Sequence, residues 1–394
     1  MRRCTLIAVA AATLAGLTTM VGTTTAGAVS QVAALHSARV CSVPAAGYAA
    51  CMSVVRTDAA GTPLATITPS GLGPANIQSA YKLAGLSSGG RTVAIVDAYN
   101  DPTAEADLAT YRATYGLAAC TTANGCFRKM DQRGGTSYPA KNGGWAQEIS
   151  LDLDMVSATC PDCHILLVEA DSASFVNLGT AVNRAAQTAG VVAISNSYGG
   201  GDAADTTYGT YYNHPGIALT ASTGDSGYVG GSYPASSSYV TAVGGTSLKT
   251  ASNTRGWTET VWSGAGSGCS TYNVALAAAA TADTGCAKRA MADVSAVADP
   301  NTGVAVYDST SYKGSSGWMV FGGTSASAPI IGSVYGLSGN TSGYANAVPY
   351  SHASALFDVT SGSNGTCPTS QWCAARVGWD GPSGLGTPNG ASAF

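Results

Sequence analysis

Charge is what this sequence has least of. Of 394 residues, 18 are Lys or Arg and 22 are Asp or Glu, so charged side chains make up 10% of the chain and the formal net charge is −4. No basic cluster marks a nucleic-acid surface. With so few positive charges, self-repulsion in acid, where carboxylates neutralise, stays mild. Histidine is scarce as well, only His36, His164, His214 and His352, so a hydroxyl nucleophile in this chain has few imidazoles to call on. Beyond the first residues no apolar run is long enough to cross a bilayer. There is no internal repeat and no long linker, which favours one large catalytic-size domain.

The first residues, "MRRCTLIAVAAATLAGLTTMVGTTTAGAVS", have the parts of a secretory signal: Arg2 and Arg3, an apolar stretch from Leu6 to Val21, and the small-residue site Ala26-Gly27-Ala28. Cleavage after Ala28 is expected, with export, and leaves 366 residues (394 − 28) and ten of the eleven cysteines. Those ten fall into near neighbours: Cys41 and Cys51, Cys120 and Cys126, Cys160 and Cys163, Cys269 and Cys286, Cys367 and Cys373. An even count at short spacing in an exported chain reads as small disulfide-closed loops, although sequence alone leaves the connectivity open. "CPDCH", Cys160 to His164, also fits a haem-attachment pattern, but it joins a helix end to an apolar strand and reads better as one of these loops.

From Val29 to about Thr68 the chain reads as irregular; after that, elements alternate. "TVAIVDAY" (Thr92–Tyr99), "HILLVEA" (His164–Ala170), "VVAISNSYG" (Val191–Gly199), "IALTASTGDSG" (Ile217–Gly227) and "YVTAVGG" (Tyr239–Gly245) read as strands. Asp101–Gly116, Trp145–Thr159 and Ser174–Gly190 read as helices. Apolar strands alternating with helices predict an α/β fold, a mostly parallel sheet with helices on both faces.

Three short strings carry the chemistry. "FGGTSASAPI" (Phe321–Ile330) puts Ser325 in the first turn of a predicted helix, Thr324–Leu337, where the helix dipole favours developing negative charge. "QEISLD" places Glu148 and Asp152 one turn apart on a helix face, with Asp154 two residues on as a surface acid. A serine without an imidazole needs another proton acceptor, and two carboxyls sharing one proton can keep one of them basic. "ASTGDSG" (Ala221–Gly227) supplies Asp225, which donates a hydrogen bond only when protonated. All three acids suit low pH.

The chain is identified by these motifs as similar to the sedolisins, the serine-carboxyl peptidase family with a subtilisin-like fold. "GGTSASAP" fits the G-T-S-x-S-x-P nucleophile pattern of the wider subtilisin-like clan, while no histidine lies in the His-Gly-Thr motif that a subtilisin uses for its base. The resemblance spans Thr68 to Asn389, supported by "SNSYGG", "SYPASSSYVTAVGGTSL" and "ADVSAVADPNTG". It implies acid endopeptidase activity on protein or peptide substrates, with Ser325 as nucleophile, Glu148 as base, Asp152 tuning Glu148, and Asp225 as oxyanion donor. Ser197, Tyr198 and Gly199 would bind the substrate backbone as an added strand. "FDVTSGSNG" and "ARVGWDGPSGLGTPN" imply one structural Ca2+, with carboxylates Asp358 and Asp380 and backbone oxygens of Val359, Arg376 and Gly378. Asp97 stands where subtilisins carry a triad aspartate, and with no histidine to orient it takes a structural or supporting role. The family's large pro-domain has no counterpart between residues 29 and 67, so a short N-terminal segment precedes a peptidase domain over 68–394. A monomer is expected, with no nucleic acid and no membrane after signal cleavage. Two other readings stay open: a silent secreted binding protein on the same scaffold, and a neutral subtilisin drawing on a displaced histidine such as His214.

Overall fold

The structure, a computed structural model, describes Met1, Thr5, Ala8 and residues 35–340 and 342–394. The expected signal segment therefore lies outside the described residues. The unit over Leu35–Phe394 is built on an eight-stranded sheet. Its strands are β4 (Thr92–Ala98), β5 (Phe127–Asp131), β6 (His164–Ala170), β7 (Val191–Asn196), β9 (Ala218–Ser222), β11 (Thr241–Thr250), β12 (Trp257–Val261) and β15 (Val294–Val297). The path runs β12-β11-β9-β7-β4-β6-β5, with β15 also on β11, and every pairing except β11–β12 is parallel. The near-continuous burial of β4, β6 and β9 explains their unbroken apolar runs, since a parallel sheet is covered on both faces.

Helices α1 (Pro74–Ala80), α2 (Ala104–Thr114), α3 (Gly143–Thr159), α4 (Phe175–Ala186) and α6 (Thr324–Ser338) cover the sheet, and α5 (Asp205–Tyr208) and α7 (Val348–Ser351) are single turns. The expected α/β architecture is present. Asn142 starts α3 by accepting from the N–H groups of Gly144 and Trp145, which satisfies two donors a helix start leaves unpaired. From Gly144 to Thr159 every residue of α3 is buried, acids included, because α2, α6 and the strand Val304–Tyr312 (β16) surround it. This corrects the reading of Asp154 as a surface acid: it is 1% exposed, and its Oδ2 accepts from Tyr307 N–H at 2.9 Å.

Segment 29–67 also departs from its irregular reading. Among its described residues are β1 (His36–Arg39), β2 (Ala50–Cys51) and β3 (Val54–Thr57). A second sheet runs β1-β3-β17-β16, where β16 is Val304–Tyr312 and β17 is Ser315–Gly322. A third runs β10-β8-β2, with β8 at Tyr198–Gly201 and β10 at Ser232–Tyr233. Two-stranded pairs join β13 (Gly268–Cys269) to β14 (Ala290–Met291) and β18 (Leu356–Phe357) to β19 (Thr387–Pro388). Strands in segment 29–67 were invisible in the sequence because they are short; β1 pairs with β3 nearby, but β2 and β3 also take partners more than 140 positions away, so no local period marks them. All five near-neighbour cysteine pairs form disulfides, including Cys160–Cys163, and His164 simply opens β6.

Candidate active site

Ser325 sits at the second position of α6, after Gly323 as N-cap. Gly323 has φ +89°, and a Cβ on it would lie 2.2 Å from the Met52 carbonyl oxygen, so both torsion and space require glycine. Pro329, four residues past Ser325, has no N–H to donate back along the helix. Ser197 Oγ lies 3.3 Å from the Ser325 carbonyl this leaves open, farther than from the Asp152 carboxyl to which its single proton is directed.

Glu148 and Asp152 lie on the face of α3 that meets α6. The Glu148 carboxyl faces the hydroxyls of Ser325 and Ser53, and both pull its pKa down. Burial outweighs them and pushes Glu148 up to about 8. No hydrogen bond closes to either hydroxyl: both Glu148 oxygens are buried without a partner, and Ser325 Oγ donates to the Ser197 carbonyl at 3.1 Å. To bond Glu148, the Ser325 hydroxyl would have to leave the Ser197 carbonyl. Asp152 accepts from Ser197 Oγ at 2.7 and 2.8 Å, while burial and then the Glu148 charge hold its carboxyl well above the ordinary range. Asp97, at the end of β4, is also buried with both oxygens unpartnered, raised by burial and then by the charges of Asp152, Glu148 and Glu169. Three carboxyls therefore share a pocket that holds little negative charge, so protons are distributed among them.

Asp225 approaches from the loop after β9. Its Oδ1 accepts from Thr324 N–H at 2.8 Å and Thr324 Oγ1 at 2.9 Å, and its Oδ2 is buried with no partner. Burial raises it to about 6, opposed first by the Thr324 N–H and then by the Arg39 guanidinium. The acceptor side is thus fixed and the other oxygen has no partner. The spot beside Gly323 that lies 2.2 Å from the Met52 carbonyl oxygen lies 3.0 Å from Asp225 Oδ2.

The residues read from the three motifs are brought together around Ser325. Of the proposed substrate strand, Tyr198 and Gly199 expose backbone to a paired strand, while the Tyr198 hydroxyl is buried on Asn196 Oδ1 at 2.8 Å. Ser197 does more than its motif suggested, since its hydroxyl holds Asp152 and its carbonyl holds Ser325. Ser53 and Arg39 were missed altogether, and no motif could have pointed to them. His214 stands apart: its Nε2 bonds Asn183 Oδ1 at 2.9 Å and the Tyr211 carbonyl at 3.1 Å, neither of which contacts Ser325.

Among the described residues no group of three or more His, Cys, Asp or Glu side chains could hold a metal. Any cation there would depend on two carboxylates and on carbonyl oxygens, a donor set that suits a hard ion. Asp358 and Asp380 are close enough for the Asp358 charge to act on Asp380, which burial first of all lifts to about 7. Asp358 Oδ2 accepts from Gly378 N–H at 2.9 Å and Asp380 Oδ2 from Arg376 N–H at 3.3 Å. Among the described residues no backbone hydrogen bond ends on the carbonyls of Val359, Arg376 or Gly378. Asp380 Oδ1 also accepts from Ser383 N–H at 2.9 Å and from Ser383 Oγ at 2.7 Å, so a cation at this corner would compete with hydrogen bonds already made.

No family model matches the chain. It is 30% identical over 368 residues to kumamolisin from Bacillus sp. (strain MN-32), an alignment that takes in 82% of this chain and 63% of that protein. The chain thus spans less than two thirds of that relative's length. Over 109 residues it is 37% identical to tripeptidyl-peptidase sed1 of Aspergillus fumigatus, 26% of this chain and 15% of that one. Among solved structures, Pseudomonas sedolisin, a serine-carboxyl proteinase complexed with two molecules of pseudo-iodotyrostatin, matches with a TM-score of 0.67 at 24% identity. That match covers 82% of this chain and 96% of the other, and it is a likeness of fold.

Proposed function

We propose, from the premise that this chain belongs to the sedolisin family, that it is an exported serine-carboxyl endopeptidase that cuts proteins or peptides in acid. The observation that carries the reading is the company of Ser325: a buried carboxyl on its base side, another on its oxyanion side, and no imidazole. In the reaction, which runs through the fraction of molecules whose Glu148 is ionised, Ser325 Oγ turns from the Ser197 carbonyl to Glu148 and attacks the substrate carbonyl as Glu148 takes its proton. Asp152, held by Ser197, shares the proton with Glu148 and so sets its basicity. Ser325 N–H and protonated Asp225 donate to the oxyanion. Glu148 then passes its proton to the leaving amine, and water hydrolyses the ester on Ser325.

The unpartnered Oδ2 of Asp225 supports its donor role, because an ionised carboxylate there would repel the oxyanion. Ser197, Tyr198 and Gly199 bind the substrate backbone as an added strand. One structural Ca2+ belongs to this reading, held by Asp358, Asp380 and the carbonyls of Val359, Arg376 and Gly378; it would bring two carboxylates to rest beside each other. The five disulfides and the N-terminal signal pattern support export, and a monomer acting without nucleic acid or membrane is part of the proposal. The test is casein hydrolysis by the purified chain across pH, beside Ser325→Ala. Acid activity lost in the variant is expected; equal activity in both would sink the reading.

A further inference from the structure

A cavity of about 440 Å³ opens where β3, β11, β12 and β17 meet, and none of the side chains that face Ser325 lines it. Its size suits a small organic molecule. The floor is apolar: Trp257, Leu248 and Val320 are buried there, with half-buried Leu72 beside them. Trp257 Nε1 donates to Ser79 Oγ at 3.1 Å, so the indole's one polar group is already used and the rest of the ring is apolar surface.

Two cations, Arg56 and Lys249, line this cavity and no acid does. Among the described residues neither cation has an acid as partner. The acids that lie two residues from the lining are engaged elsewhere. Asp58 accepts from Ala60 N–H and Thr62 N–H, each at 2.9 Å. Asp299 accepts from Ser247 Oγ at 2.6 Å and Asn301 N–H at 2.9 Å, and Glu259 is paired with Arg255 at 2.6 Å. Alternation along β3 sends Val55 and Thr57 into buried surroundings and leaves Arg56 half-buried at the cavity. Its Nε is shut off from water, and no acceptor reaches it. A buried donor left unpaired costs stability, and the flat fork of an arginine matches the two oxygens of one carboxylate.

We propose that this cavity binds a small organic anion with an apolar body, a carboxylate on an aromatic or acyl frame. The head pairs with Arg56 and gives its Nε an acceptor, and Lys249 adds a point charge from β11. The body replaces water over Trp257, Leu248 and Val320. A neutral apolar molecule would cover the floor but leave Arg56 unpaired, and an inorganic anion would pair with Arg56 but leave the floor wet. Both cations stay charged from acid to neutral pH, so the head alone sets the pH dependence. A carboxylate is held above its own pKa of about 4 and released below it. No residue of the peptidase reading takes part, so this inference does not depend on that reading.

The test is calorimetric titration of the purified full chain with 2-naphthoate, 2-naphthalenesulfonate and uncharged 2-naphthylmethanol, which share one ring frame. At pH 6 each anion should bind one per chain, about tenfold or more tighter than the alcohol. At pH 3 the naphthoate should lose that advantage and the sulfonate keep it. Arg56→Gln should weaken naphthoate binding about tenfold, and Arg56→Lys, which keeps the charge but not the fork, by less. Lys249→Gln should weaken it about threefold, and Arg128→Gln, at an exposed arginine of β5, should leave it unchanged. Should Arg56→Gln fail to fold, the comparison of head groups on the unaltered chain still decides. Equal affinity for the alcohol and the anions overturns the inference, as does full naphthoate binding in a folded Arg56→Gln or no naphthoate binding at millimolar concentration. None of these readouts involves Ser325, so each of those failures leaves the peptidase reading standing.

Discussion

Two groups of buried acids flank α3, and their hydrogen bonding differs. Against β16 lie Asp101, Asp107, Asp154 and Asp308, and each has an oxygen answered by donors. Thr103 N–H reaches Asp101 at 3.0 Å, Thr103 Oγ1 reaches Asp107 at 2.7 Å, Tyr307 N–H reaches Asp154 at 2.9 Å, and Thr310 N–H reaches Asp308 at 2.7 Å. On the other side, around Ser325, both oxygens of Glu148 and of Asp97 go unanswered, whereas Asp225, like Asp101 and Asp308, has one oxygen answered and one not. Leaving a buried polar atom unpaired costs stability. A buried acid with neither oxygen answered and a hydroxyl facing it, as Glu148 is, reads as chemistry.

Substitutions on the two sides should separate these roles most sharply. Glu148→Gln should lower casein hydrolysis by about a thousandfold, within the usual range for a general base, with little change in melting temperature. Asp154→Ala should do the reverse. It leaves Tyr307 N–H without its acceptor at a cost of about 1 kcal/mol or more, read as a melting temperature lower by a few degrees with hydrolysis nearly unchanged. A catalytic collapse in Asp154→Ala with unchanged stability would erase the distinction.

The next largest effect joins the two groups through pH. Burial lifts Glu148 and Asp308 to about 8 and Asp225 to about 6, above the unfolded carboxyl range of about 4. Folding therefore favours their protonated forms. The stability they contribute is whole below about pH 4 and is lost as pH rises through 6 and on to 8. Melting temperature should fall from pH 4 to pH 8, and a rise over that span would contradict the assignment. Glu148→Gln should flatten part of the slope. Asp225→Asn comes next: an amide donates at every pH, so hydrolysis should persist weakly and its alkaline limit move upward. The smallest effect is expected from Ca2+ removal with a chelator, a lower melting temperature with no change in the acid limit of the rate.

Much of this was legible in sequence because the chemistry is packed into contiguous strings. Glu148 with Asp152 and Ser325 with its glycines each sit on one helix start or face, where spacing is geometry. The parallel sheet was equally plain, since strands buried on both faces spell themselves out as apolar runs. Asp154 was misread for a related reason: α3 is buried all round, so an acid on it carries no periodic mark of its partner on β16. The strands over residues 50–55 were unreadable because their partners, Ser197 to Gly199 and Phe321 to Ser325, are far along the chain. Ser197 as the clamp on Asp152 was hidden in the same way, since the two meet only across α3 and β7.

The central claim is that carboxyls, not an imidazole, serve Ser325, and the pH dependence of casein hydrolysis tests it most directly. The enzyme should be fastest in acid and lose activity as pH passes about 6, where Asp225 gives up its proton; His214→Gln should leave that profile unchanged. A maximum above neutral pH that disappears in His214→Gln would contradict the account.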